Sequence, residues 1–231
     1  MQLMHPPSPA RQPAAAGFTL VELLVALLVM ALLSLMSWRG LDAMARAQTQ
    51  TQARADDLQA LRNGLGQWTA DLDAMATELS NTTRAINALP SQMEWNGQVF
   101  RITRYSGTAA APGLRVVTWR VGTEKDQKTW LRWQSPLVHT RAELQQAWTL
   151  AANWAQTPTE ASRALQVSIV PVVDWQIFYF RGDTWSNPGS SSESANINPE
   201  GVRLVLTLPE GQALAGKLST DWMRSTVAGR R

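Results

Sequence analysis

Gly17-Phe18-Thr19-Leu20-Val21-Glu22 opens a stretch that stays predominantly apolar through Trp38, with Glu22 as its single charged residue. At about 1.5 Å per residue, a helix over Phe18 to Trp38 spans roughly the 30 Å hydrocarbon core of a bilayer. An ionised carboxylate is costly at membrane depth, so such a residue is a functional hypothesis by default. The sequence therefore predicts a transmembrane helix over residues 18–38, with a functional acid near its start.

A second interpretation of Glu22 rests on its spacing from Thr19. The sequence Thr19-Leu20-Val21-Glu22 fits the Ser/Thr-x-x-Glu capping box, in which the two side chains satisfy backbone N–H groups at a helix N-terminus. Taken alone, these four residues favour a cap. The longer stretch around them favours a different role.

The string Gly-Phe-Thr-Leu-Val-Glu-Leu-Leu-Val-Ala, residues 17–26, resembles the class III signal of type IV prepilins and type II secretion pseudopilins. The resemblance implies that a prepilin peptidase cleaves after Gly17 and methylates the new N-terminus at Phe18, so that residues 1–17 are a removed leader. It also implies that Glu22 docks against the N-terminal amine of a neighbouring subunit in a filament. Two charges that are each costly in lipid become tolerable when they meet.

An ordinary secretory signal is the main alternative for the N-terminus. Such a signal has an apolar region of about 7 to 15 residues with small residues at a cleavage site after it. Here Ala14-Ala15-Ala16 come before a longer apolar run, which favours cleavage on the cytoplasmic side and a retained helix. The positive-inside count opposes this orientation, because Arg11 precedes the helix whereas Arg39, Arg46 and Arg54 follow it. The specific motif outweighs that count.

Composition bounds the remainder of the chain. Removal of the leader leaves 214 of the 231 residues, enough for the membrane helix and one soluble domain with a single core. The absence of cysteine excludes disulfides and thiolate metal sites. The basic residues are scattered, so no nucleic-acid partner is predicted. Most of the eleven tryptophans should lie in the core or on strand faces, and a minority at a subunit contact.

The helical pattern continues beyond the membrane segment. A mostly apolar series of residues, interrupted by Gln48 and Thr51, recurs at steps of three and four from Leu41 to Leu79, which is the spacing of one helix face. The pattern predicts one helix to Leu79 and an amphipathic continuation over residues 39–89, with Pro90 at the end of the helical region. The stripe is strongly apolar from Leu58 onward. Residues 58–79 are therefore predicted to pack on the soluble domain.

Residues 90–231 are predicted to form a β-rich globular domain with one short helix. Asn96-Gly97 is a strong hairpin signal, and Thr140-Arg141-Ala142-Glu143 is a capping box at a helix start. Residues 181–200 are rich in Gly, Ser, Asn and Pro and are predicted to form a long surface loop. Strands are predicted at 93–95, 98–105, 114–121, 129–134, 164–170, 172–180, 202–208 and 213–219. A long N-terminal α-helix packed against a C-terminal antiparallel sheet is an α+β fold and matches the pilin layout.

The sequence contains no recognisable catalytic set, and the protein is predicted not to be an enzyme. After removal of the leader, His139 is the remaining histidine, and a surface role is expected for it. No zinc-ligand cluster, Gly-x-Ser-x-Gly elbow or Walker-type loop occurs. A membrane-tethered enzyme or binding module stays open as an alternative class.

Acidic residues occur in two places besides Glu22. The pairs Asp56-Asp57 and Asp71/Asp73 are interpreted as part of the solvated face of the helix. The loop 181–200 carries three spread acids, and some pseudopilin relatives bind calcium in a loop. Because these acids lack an Asp-x-Asp rhythm, no metal or other cofactor is predicted.

Two further stretches bear on the kind of subunit. Trp38-Arg39-Gly40-Leu41-Asp42-Ala43 and the run Leu61 to Leu72 resemble the J-type minor pseudopilins of type II secretion. This resemblance implies a tip complex with I- and K-type minor pseudopilins on the major pseudopilin, which supports protein export across the outer membrane. It also implies a single-pass protein in the lipid of the bacterial inner membrane, with its globular domain in the periplasm. A minor pilin of a type IV pilus is the alternative.

Overall fold

The computed structural model describes residues 17–76, 93–108, 111–189 and 199–225, and these form helices and antiparallel strands. In chain order the elements are α1 (Leu20–Asp73), β1 (Met93–Trp95), β2 (Val99–Thr108), β3 (Ala111–Glu124), β4 (Gln127–Gln134), α2 (Arg141–Gln156), α3 (Glu160–Arg163), β5 (Gln166–Pro171), β6 (Asp174–Arg181), β7 (Thr184–Ser186), β8 (Gly201–Leu208) and β9 (Gly216–Met223). The chain divides into two compact units, Met1–Gln52 and Ala53–Arg231. The predicted α+β class, with a long apolar helix before antiparallel sheets, is confirmed.

Helix α1 ends at Asp73, so the predicted continuation to Leu79 is wrong. The chain leaves the helix because its next residues add to the edge of β2. The N–H of Ala76 donates to the carbonyl of Thr103 at 3.0 Å, and the N–H of Tyr105 donates to the carbonyl of Ala74 at 2.8 Å. Residues 77–89 of the predicted segment 39–89, and Pro90 after it, lie outside the described residues.

The first sheet has five antiparallel strands in the order β1-β2-β3-β4-β5. The Asn96-Gly97 hairpin is confirmed, but Trp95 pairs with Phe100, so the connection is longer than two residues. The reason is that Asn96 Oδ1 accepts hydrogen bonds from the N–H groups of Gln98 at 3.0 Å and Val99 at 2.8 Å, which stabilises a loop of four residues.

The turn between β3 and β4 differs from the predicted one. It consists of Lys125 and Asp126, both with positive φ (46° and 63°), which suits a two-residue hairpin between twisted strands. Gly122, which falls between the predicted strands 114–121 and 129–134, pairs with Thr129 inside the ladder instead. A Cβ at Gly122 would approach Leu131 Cδ1 to 2.7 Å, so a larger residue there would displace the Leu131 side chain.

Both faces of the five-stranded sheet are buried, which overturns the prediction of a single core. Val117 and Trp119 of β3 point into a cluster formed with α1 and the second sheet, whereas Leu114 and Val116 point into a cluster formed with α2. Alternation along one strand thus sends neighbouring side chains to two separate cores. Seven of the eleven tryptophans are buried, as predicted.

Helix α2 begins as its sequence predicts. Thr140 is the N-cap, and both hydrogen bonds of the capping box with Glu143 are present. Because the Glu143 carboxylate accepts backbone N–H bonds from His139 and Thr140, its pKa is held below the ordinary value. The cap fixes the start of the helix, which then buries Leu144, Ala147, Ala151 and Trp154 against the first sheet.

The second sheet has four strands in the order β7-β6-β8-β9 and lies across the first core cluster. Pro171 ends β5 at a sheet edge, where its missing N–H is tolerated. Part of the predicted loop 181–200 is ordered as β7, joined to β6 by Gly182 and Asp183 at positive φ. Residues 190–198 of that loop lie outside the described residues. The last strand runs to Met223, four residues beyond its predicted end at 219.

Candidate functional site

The residues of the N-terminal signal lie at the start of α1. Gly17, Phe18 and Thr19 precede the first helical turn, and α1 begins at Leu20. Thr19 Oγ1 accepts the N–H of Glu22 at 3.3 Å, and the Thr19 carbonyl accepts the N–H of Leu23 at 3.2 Å. The start of the helix is therefore capped by the threonine side chain and backbone.

The side chain of Glu22 takes no part in that cap. The bond from Glu22 uses its backbone N–H, and among the described residues no return bond from Thr19 N–H to the Glu22 carboxylate is formed. The carboxylate lies exposed in the first turn of α1, where a negative charge is favoured by the helix dipole. Half of the predicted capping box is thus present, and the carboxylate of Glu22 is not part of it.

The apolar segment that follows is exposed along its whole length. Phe18 is 78% exposed, and the residues after it keep about half or more of their side-chain surface accessible through Trp38, which is 72% exposed. Within the described part of the chain, α1 is the helix long and apolar enough to cross a membrane, with a mean hydropathy of 2.5 over its apolar window. An apolar surface of this extent requires a cover of lipid or of other apolar helices.

A second set of polar residues, which the sequence interpretation missed, surrounds Asp71. Its carboxylate is fully buried and accepts five hydrogen bonds from four side chains. Arg132 binds it through Nε at 2.8 Å and Nη2 at 2.9 Å, in the bidentate geometry that suits a guanidinium and a carboxylate. The other donors are Arg104 Nη1 at 2.5 Å, Gln67 Nε2 at 2.8 Å and Trp119 Nε1 at 3.0 Å.

The prediction that Asp71 belongs to the solvated face of the helix is therefore wrong. It fails because Arg132, a buried cation on β4, sits opposite this helix position and makes burial of the carboxylate tolerable. Asp73 is exposed as predicted, although its Oδ1 accepts the indole N–H of Trp222 at 2.8 Å. Asp56 and Asp57 are also exposed.

No metal centre emerges from the described ranges. Within them, no group of three or more His, Cys, Asp or Glu side chains is close enough together to hold a metal ion. His139 is exposed, and its Nδ1 lies 3.1 Å from the Pro112 carbonyl. Asp183 forms the turn before β7, and Glu193 lies outside the described residues. Within the globular unit, the described loop acids form no cluster with His139 that could hold a metal ion.

The fold and the start of α1 together indicate a class of protein. It has an α+β fold and one long apolar N-terminal helix, which is consistent with a single-pass membrane anchor. Residues 13–38 match the family described as the Prokaryotic N-terminal methylation motif, and this match supports the type IV prepilin and pseudopilin superfamily. The motif is consistent with processing by prepilin peptidase and with assembly alongside other pilin-like subunits. No curated protein matches the chain significantly.

Proposed function

We propose that this protein is a minor pseudopilin of the type II secretion system, a structural subunit of the pseudopilus tip complex that supports protein export across the outer membrane. The observation that carries the proposal is the methylation motif at residues 13–38, which coincides with a capped, fully exposed apolar helix start. The choice of the J-type within the superfamily rests on the resemblance of residues 38–43 and 61–72 to that subfamily.

Each residue of the signal has a role in this proposal. The peptidase cleaves the bond between Gly17 and Phe18, which precedes the first helical turn and is not held in helical hydrogen bonds. The new amine at Phe18 is methylated and keeps its positive charge. Glu22, exposed and outside the cap, receives the amine of a neighbouring subunit. The anchor stays in the inner membrane as a single pass, with the globular unit in the periplasm.

The role proposed is structural rather than catalytic. The pseudopilin works by being assembled, so its functional groups are a cleavage site, a docking charge and apolar helix surface. A neighbouring subunit would cover the exposed apolar residues between Phe18 and Trp38. Lipid covers the same residues before assembly. The partners are therefore prepilin peptidase, the I- and K-type minor pseudopilins, the major pseudopilin and membrane lipid.

Coexpression with a prepilin peptidase tests the processing step. We expect the intact mass to fall by the mass of residues 1–17, less one methyl group added, with N-methylated Phe18 as the first residue. Gly17→Val should block the change, because the branched side chain does not fit where the enzyme accepts glycine. A matched Gly40→Val change, in the exposed part of α1, should leave processing intact. Cleavage of the Gly17→Val chain, or a mature N-terminus elsewhere, would refute the assignment.

Copurification distinguishes the J-type pseudopilin from the alternative, a minor pilin of a type IV pilus. We expect the full chain, extracted in mild detergent, to bring down the I- and K-type minor pseudopilins of the same cell at both low and high salt. Leu72→Asp should abolish the complex if it forms through a folded globular unit. Recovery of pilus subunits in place of the I- and K-type proteins would favour the alternative, and no complex at any salt concentration would count against both.

A further inference from the structure

The apolar stripe by which α1 packs on the sheets is nearly self-similar along the helix. Its members lie at steps of three and four: Leu58, Leu61, Leu65, Trp68 and Leu72. A shift of seven residues, about two helical turns, places Leu58, Leu61 and Leu65 at the positions of other members of the stripe, and a shift of one turn does so for part of the stripe. Because apolar burial is non-directional, the leucines of this stripe discriminate weakly between such registers. Trp68 contributes more, through its ring contacts with Phe100, Trp119 and Trp130.

Space beside the stripe leaves room for such a shift. A groove of about 350 Å³ lies between α1 and the edge strand β5. It is lined by Ala60, Asn63, Gly64 and Gln67 of the helix, by Arg132, and by residues 167–169 of the strand. On this side the helix therefore borders open space, apart from its close contact with Ile169 at Gly64.

The Asp71–Arg132 pair differs from the stripe because each of its two charged groups can find its buried partner in one register of the helix. Among the described residues, Asp71 is the buried charged residue of α1 and Arg132 is the buried charged residue of the sheets. A slide of one turn moves the carboxylate by about 5.4 Å, well beyond hydrogen-bond distance. Both groups would then be buried without their partner, and the Trp119 indole would lose its acceptor.

Gly64 provides a second, steric constraint on the same helix. A Cβ at this position would lie 2.2 Å from Ile169 Cγ2 and 3.2 Å from Trp130 Cζ3, so a side chain brought here by a slide would collide. This notch, the space that Gly64 leaves for Ile169, disfavours other registers by steric collision at one point of contact. The ion pair favours one register through hydrogen bonds that form in that register. The two constraints can be separated, because the notch disappears when Ile169 is shortened.

We propose that the Asp71–Arg132 pair is a specificity-determining contact that selects the register and rotation of α1 on the sheet, while the apolar contacts supply most of the stability. Buried ion pairs combine a large desolvation penalty with their attraction, so an apolar pair of similar size often matches them in stability. The inference goes beyond the proposed function and depends on neither cleavage nor assembly.

Thermal unfolding of the full chain in detergent separates stability from specificity. We expect Asp71→Leu alone and Arg132→Met alone each to lower Tm by about 10 °C. The first leaves the buried Arg132 guanidinium without its carboxylate, and the second removes the two-bond partner of Asp71 and leaves Arg104 as its remaining cation. The double variant Asp71→Leu/Arg132→Met should recover most of that loss. An unfolded double variant, or one no more stable than either single variant, would overturn the proposal by showing that the pair itself is needed for stability.

Disulfide trapping then reports the register directly, since the chain has no cysteine of its own. The pair Gly64→Cys/Ile169→Cys marks the observed register and also removes the notch, and Ala60→Cys/Ile169→Cys marks a register one turn away. With Asp71 and Arg132 present, we expect the first pair to close at least about tenfold faster than the second. In the background of the double variant Asp71→Leu/Arg132→Met, the two rates should converge. A ratio unchanged by the double substitution in a folded chain would refute a selecting role for the ion pair.

Discussion

Leu72→Asp is expected to remove most of the free energy of unfolding of the globular unit. Leu72 is 1% exposed and lies in the core cluster that α1 forms with both sheets. Loss of a buried leucine costs about 2–5 kcal/mol, and a carboxylate placed there has no donor to pair with. The sum approaches the whole stability of an ordinary domain, about 5–15 kcal/mol.

The neighbouring residue, Asp71, increases the loss of stability that Leu72→Asp causes. Asp71 already holds a buried negative charge whose donors are fully engaged, so a second carboxylate adds electrostatic repulsion with no donor to offset it.

Near-ultraviolet circular dichroism of the full chain in detergent measures the effect, because seven of its tryptophans are buried. Ala70→Asp is the matched control, since Ala70 is exposed two positions earlier on the same helix and should shift stability by no more than about 0.5 kcal/mol. Equal melting curves for the two variants would show that α1 does not pack as described.

Local sequence patterns predicted those elements whose determinants lie within a few residues. The capping box at Thr140 and Glu143 fixes the start of α2, and both of its bonds are present. The alternation of apolar residues at 202, 204, 206 and 208 with the residues between them predicted the strand at 202–208, and in β8 the four apolar residues are buried. In such cases the partners of each backbone group or side chain are set by the local chain, so the sequence alone is sufficient.

Features that depend on distant partners were missed. Asp71 and Arg132 are 61 residues apart, and the helical pattern could not show that a buried cation faces this turn. A signal was nonetheless present: Asp71 follows Trp68 by three residues and precedes Leu72, so it lies on the apolar stripe rather than opposite it. The end of α1 is a similar case, because it is decided by pairing of residues 74–76 with β2.

The second core was also missed, although β3 carried a signal for it. The run Val116, Val117, Thr118 and Trp119 lacks the alternation of a half-exposed strand, and all four residues are buried. Continuous burial of this kind indicates a strand covered on both faces. By contrast, the methylation motif at residues 13–38 was recognisable from the sequence, because it is a linear segment whose pattern needs no tertiary contact.

Glu22→Ala is expected to leave cleavage after Gly17 intact and to reduce incorporation into the pseudopilus at least about tenfold, equivalent to about 1.4 kcal/mol or more. The methylated amine of each entering subunit is still positively charged, and without the carboxylate it would be placed among apolar helices unpaired. That loss is expected to exceed the benefit of removing a lone acid from the anchor. Intact mass reports cleavage, and the amount of the protein in sheared pseudopili reports incorporation.

Thr19→Ala separates docking from capping. The cap bond runs from the Glu22 backbone N–H to Thr19 Oγ1, so Glu22→Ala preserves it and Thr19→Ala removes it. If the acid served the helix start, the two variants should impair assembly alike, by the roughly 1 kcal/mol that an N-cap contributes. If it receives an amine, Thr19→Ala should assemble nearly normally, whereas Glu22→Gln, which keeps the shape without the charge, should fail as Glu22→Ala does. Wild-type secretion and pseudopilus amounts in Glu22→Ala would assign this carboxylate no docking role, because assembly would then proceed without its charge.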